Sequence, residues 1–218
     1  LPDFDALFNN AYGQIVRLRY RFIRPFSNRS RIVSPSDYEL DVEAFCVLSH
    51  AALEQLFEEV TITLLDYQVG EYVMHRRLSS ELIMLLLYHG RNAVFEKKYN
   101  DVEIRSFDLI RDSLEAAKRD FSLAVSNNNG LHFLHLIRLL APAAIDIQLS
   151  ADERYAIDQL KIARGDYAHR GIAARVIPSP EEVLNYVYRT LAVARRVCES
   201  AAVSSAVPRG EMKRVRIP

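Results

Sequence analysis

Three times in this chain a serine is followed three positions later by a glutamate, at the head of a run whose apolar residues recur every three or four positions. These are Ser36 with Glu39, Ser150 with Glu153, and Ser179 with Glu182. At a helix start the serine oxygen accepts a backbone N–H that has no partner inside the helix, while the glutamate reaches back to the serine N–H. Such a chain is committed to amphipathic helices. The first run reaches about Asp66, with Phe45, Leu48, Ala52, Leu56 and Val60 on one face and Glu54, Glu58 and Glu59 elsewhere on the wheel. The second reaches about Arg170. The third has Pro180 at its first helical position and carries Val183, Leu184, Val187, Leu191, Ala194 and Val197, a stripe suited to closing a bundle.

Further helices are expected over about Asp3 to Arg24, stopped by Pro25, and over about 80–89, 106–125 and 131–140, the last ended by Pro142. The 218 residues hold seven glycines and eight prolines, gathered at a few points instead of recurring as hairpin turns would require, so an all-β fold is excluded. No internal repeat or low-complexity linker divides the chain. The expectation is one all-α bundle over 1–202, with a basic, flexible tail over 203–218 carrying Arg209, Lys213, Arg214 and Arg216 against Glu211.

Half the residues are hydrophobic, enough for a real core, and 28 basic side chains balance 28 acidic ones. With no net field, any nucleic-acid binding must come from a local patch. Cys46 and Cys198 have neither disulfide nor metal spacing and read as buried, reduced thiols of a cytoplasmic protein. The N-terminal segment lacks the features of an export signal, and the longest apolar run, Leu82 to Tyr88, is too short to span a bilayer, so no membrane association is expected. No phosphate-cradling glycine loop occurs. His132 and His135 have a spacing that would suit two metal ligands, yet no carboxylates or cysteines accompany them, and they read as core or interface histidines. His50, inside an apolar helix, reads as a hydrogen-bonded packing residue.

The most suggestive segment is LKIARGDYAHRG, where Arg164 and His169 are separated by four residues near a helix end. RNA carries its own nucleophile in the 2′-hydroxyl, so a nuclease using it needs proton handling and a positive group for the crowded phosphorane, and no metal. Histidine titrates near neutral pH, and arginine's fork matches two phosphate oxygens. Five residues correspond to about 500° of rotation and about 7.5 Å of rise, placing the two roughly 140° apart on an unbroken helix. Arginine's long stem reaches around, or Gly165 and the helix end near Gly171 loosen the geometry, or a second copy completes the site.

An arginine, four residues and a histidine near a helix end resemble the signature of HEPN domains. The phrases VLSHAALEQLFEE and GLHFLHLIRLLAPAAIDIQLSADERYAIDQLKIARGDYAHRG are similar to the RiboL-PSP branch of that superfamily, over about Ser36 to Val197. Two places depart from the common pattern: Gly165, not a polar residue, follows the arginine, and Arg170, not glycine, follows the histidine. The resemblance implies a HEPN-like helical bundle paired as a symmetric homodimer with two motifs lining one cleft. It further implies a metal-independent endoribonuclease that uses no cofactor and leaves a 2′,3′-cyclic phosphate and a 5′-hydroxyl. Arg164 and His169 would be catalytic. By spacing alone, Asp166 either supports the site by orienting His169 or forms a helix-surface ion pair with Arg170, and Lys161, Arg170 and Arg175 either follow the RNA backbone or are ordinary surface cations. As a toxin or phage-defence effector, such a protein would answer to an antitoxin or other regulatory protein. The alternative is a catalytically inactive HEPN-like module for dimerisation or partner binding.

Overall fold

The computed structural model describes residues 1–26, 34–89, 106–127, 130–169 and 178–206. Its helices are α1 (Phe4–Leu18), α2 (Pro35–His75), α3 (Ser80–His89), α4 (Ser106–Ser126), α5 (Phe133–Leu140), α6 (Ala151–His169) and α7 (Pro180–Ala206). A π turn (Arg19–Ile23) and a 3-10 turn (Arg24–Phe26) follow α1, another 3-10 turn (Ala141–Ala143) follows α5, and the described residues contain no strand. The all-α expectation holds.

The local helix-start signals hold at two of three places. Ser150 and Glu153 exchange hydrogen bonds of 3.2 and 2.9 Å, and Ser179 and Glu182 exchange bonds of 3.2 and 2.7 Å. The start of α2 lies two residues upstream of the expected Ser36–Glu39 box. Ser34 is the N-cap, its N–H donating to the Asp37 carboxylate at 3.1 Å. The cause is Pro35, which lacks the N–H that would go unused at the first helical position and fixes φ near the helical value.

At 41 residues, α2 is about 60 Å long and runs past the expected stop at Asp66 to His75. Gly70 does not end it, because Val69 and Tyr72 on either side are buried with Leu82 of α3 and Leu114 of α4 in a small second core. Packing there outweighs glycine's weak helix propensity. The helix stops at Arg76, in the left-handed region at φ 56°, whose N–H donates to the Tyr72 carbonyl at 2.7 Å.

The main core surrounds α2, which packs against α1, α4, α6 and α7. Phe45, Leu53, Phe57, Val60 and Leu64 are fully buried there, as are Val183, Val187, Val193 and Val197 from α7. Leu48 departs from the expected packing face and is exposed, whereas Cys46 and Cys198 are buried and unbonded as expected. Burial pushes both thiols up to about 12, so neither is a reactive thiolate. No described helix is long and apolar enough to cross a membrane. The expected terminal tail begins inside α7, which stays helical to Ala206; 207–218 lie outside the described residues.

Candidate functional site

The site is organised by a half-buried carboxylate. Glu54 sits midway along α2 with its side chain 14 % exposed, too enclosed for a lone anion to be tolerated without partners. One oxygen accepts the Gly130 N–H at 2.5 Å. The other lies 3.7 Å from Nη1 of Arg164, on α6, and 3.7 Å from Nδ1 of His50, one turn back on α2. Three segments far apart in sequence meet here.

His50 is wholly buried. Its Nε2 lies 3.1 Å from both the N and the O of Leu131. With the proton on Nδ1, facing the Glu54 carboxylate, Nε2 accepts the Leu131 N–H. The other tautomer would aim a lone pair at the carboxylate. Burial, followed by the charge of Arg164, pulls the His50 pKa down to about 4, so the ring is neutral at ordinary pH and serves as a positioning group. One turn further along α2, burial and the charges of Glu54 and Glu59 push the Glu58 carboxyl up to about 7, leaving a group beside the site that exchanges protons near neutrality.

On α6, Asp158, Lys161 and Arg164 follow at steps of three and share a face. Asp158 accepts the Phe133 N–H at 3.0 Å and so ties the start of α5 to α6. Lys161 is exposed. Its charge acts on His50, His132 and His135. The rings of His132 and His135 lie 6.1 Å apart at the start of α5. Burial first, and nearby cations after it, lower the pKa of both. Both residues are half-buried, and Nε2 of His135 is itself buried with no hydrogen-bond partner among the described residues. Among the described residues no group of three or more ligand-type side chains could hold a metal.

Gly130 shows why the loop before α5 needs its residue. Its φ is +115°, a backbone state that L residues rarely adopt, and a Cβ there would stand 3.0 Å from Nη1 of Arg164. Gly130→Ala is expected to cost about 1–2 kcal/mol in urea unfolding. The loss should persist in an Arg164→Ala background, because the strain is in the backbone; recovery of stability there would show that the guanidinium contact is the cause.

Of the residues singled out by sequence, Arg164 and Lys161 are together at this cluster. His169 is the last residue of α6 and Asp166 lies in its final turns, but the side chains of 165–169 are outside the described set, as are Arg170 and Arg175. The helix continues through Gly165, so positions 164 and 169 stand roughly 140° apart about its axis. Glu54, Glu58 and Gly130 were not singled out as site residues; a glutamate one turn after His50 on α2 was the available signal.

This architecture has a family counterpart. The family model described as RiboL-PSP-HEPN matches residues 20–200. The chain belongs to the RiboL-PSP-HEPN family. No curated protein and no solved structure gives a significant match.

Proposed function

We propose that this protein is an endoribonuclease that cleaves RNA through its 2′-hydroxyl without needing a metal, in which Arg164 stabilises the phosphorane and His169 handles protons. The observation that carries it is the holding of Arg164. A largely enclosed Glu54 carboxylate 3.7 Å away draws the guanidinium toward it while leaving it 36 % exposed, on the helix that ends at His169. A cation so placed is preorganised for charge that develops on a substrate and needs no rearrangement at the moment of reaction.

The step is a transesterification. The 2′-oxygen bonds to phosphorus as the bond to the 5′-oxygen breaks; one proton leaves the 2′-oxygen and another arrives at the 5′-oxygen. No redox partner or water is consumed. Arg164 would hold the equatorial oxygens with its fork, and Lys161, Arg170 and Arg175 would follow flanking phosphates. Asp166 would orient His169 from three residues away. The 140° separation of Arg164 and His169 favours a site completed by a second copy about a two-fold axis. Toxin or phage-defence effector is the role we assign to such an activity, with an antitoxin or other regulatory protein as its restraint.

The test is to incubate the purified protein with mixed RNA in excess chelator and determine the product ends. Cyclic phosphate and 5′-hydroxyl ends are expected. Intact RNA under all conditions would instead move the weight to a binding or partner-gated module, for which Gly165 directly after Arg164 is the favouring observation.

A further inference from the structure

At the end of α1 the chain reads RLRYRFIRPF over residues 17–26, with four arginines, three aromatic rings and no acid. In a molecule of zero net charge such a segment is a strong local deviation. The π turn at Arg19–Ile23 displays it. Ile23 is fully buried and anchors the turn, while Arg17, Arg19, Tyr20, Arg21 and Arg24 are exposed. A π turn is an uncommon backbone state, found most often where a function needs it.

Three of the cations lie beside aromatic rings. The Arg24 guanidinium lies 4.9 Å from the centre of the Tyr20 ring, Arg21 lies 5.2 Å from that of Phe22, and Arg19 lies 5.8 Å from that of Tyr188 on α7. Arg19 also donates to the Tyr188 hydroxyl at 3.1 Å. Among the described residues, no carboxylate lies within ion-pair distance of any of the four arginines, although Arg111, Arg189, Arg195 and Arg196 all have one.

We infer that the Arg17–Phe26 surface binds single-stranded RNA, its guanidiniums gripping phosphates and Tyr20 stacking on an unpaired base. The identity of the ligand rests on the ribonuclease reading; the surface itself does not. Single strands are favoured over duplex because Tyr20, 57 % exposed, offers a stacking face that a paired base cannot use. An anionic membrane fits less well, since Phe22 and Phe26 are partly buried and one tyrosine is the sole freely exposed ring of the segment. Phe26 packs edge-on against Tyr38 of α2, about 24 Å along that helix from Glu54 and roughly 160° around its axis, so the surface is distinct from the candidate site.

The experiment is fluorescence anisotropy with a short, unstructured 2′-O-methyl oligouridylate, which cannot be cut, over a range of salt. Arg24→Glu should weaken binding about tenfold and reduce the log–log salt slope by about 0.7, the loss of one phosphate contact. Tyr20→Ala should weaken it about tenfold with the slope unchanged, because stacking releases no counterion. Arg119→Glu, a charge-matched change on an exposed position of α4, should stay within about twofold of the parent. All three positions are exposed, and circular dichroism checks that the variants fold. The inference is overturned by equal losses at Arg24 and Arg119, by tighter binding to the matching duplex, or by binding to anionic phospholipid vesicles with none to the oligonucleotide. A protein that binds through Arg24 and Tyr20 yet cuts no RNA refutes the nuclease and leaves this surface standing. One that cuts RNA while Arg24→Glu binds as the parent does refutes the surface alone.

Discussion

Alanine in place of His169 is expected to slow RNA cleavage by a factor of roughly 10²–10⁴, the usual effect of removing a positioned proton-transfer group. Arg164→Ala should cost roughly 10²–10³, as removal of a preorganised charge donor does. Arg164→Lys should recover only part of that, because an ammonium keeps the charge but loses the fork that meets two phosphate oxygens together. The fold should tolerate His169→Ala, at the last residue of α6. Initial rates on a labelled RNA in excess chelator measure all three. Parental rates in the His169 variant would end the proposed mechanism.

Mixing the two alanine variants asks a sharper question. Positions 164 and 169 diverge around an unbroken helix, so a productive pair is most simply made between copies. If Arg164 of one chain works with His169 of the other, a mixed dimer regains one intact site. Random exchange should then restore about a quarter of the parental rate, since about half the dimers are mixed and each has one good site of two. No recovery, despite subunit exchange, would place both residues of a working pair on one chain.

What could be read from sequence follows the range of the forces involved. The starts of α6 and α7 were legible because Ser150 with Glu153 and Ser179 with Glu182 act within one turn. The start of α2 was misplaced by two residues because a second serine and a proline compete for the same roles. Its end was misplaced by nine, because Val69 and Tyr72 carry the helix past Gly70 through contacts with α3 and α4 that no local pattern announces. The π turn is not legible either: RYRFI has an ordinary helical composition, and nothing local marks the wider turn in which Ile23 is buried. Arg164 stood out only because a histidine follows at a suggestive spacing. Glu54 did not, because its partners Gly130 and Arg164 lie far along the chain, and an acid on the polar side of a helical wheel reads as a solvated charge. A histidine inside an apolar helix is expected to be a hydrogen-bonded packing residue, and the contact of His50 with Leu131 bears that out.

Glu54 is consequently the position where a substitution separates folding from chemistry. Glu54→Ala strands the Gly130 N–H in a partly buried loop, removes the carboxylate facing His50, and leaves Arg164 without its counter-charge. Losing a charge-assisted bond to a buried N–H costs about 1–3 kcal/mol. The Arg164 contact adds less, since at 3.7 Å and with the guanidinium 36 % exposed it is screened by solvent. A total of roughly 2–4 kcal/mol is expected, lowering Tm by about 5–15 °C for a chain of this size. Glu54→Gln divides the effect. Its carbonyl can still accept the Gly130 N–H, so about half the stability should return, but its amide offers Arg164 no charge. If Glu54 acts by holding the guanidinium for substrate, Glu54→Gln should bring much of the stability back while cleavage stays at least tenfold down. If stability and cleavage recover together, Glu54 is a structural brace, and the arginine needs no partner to do its work.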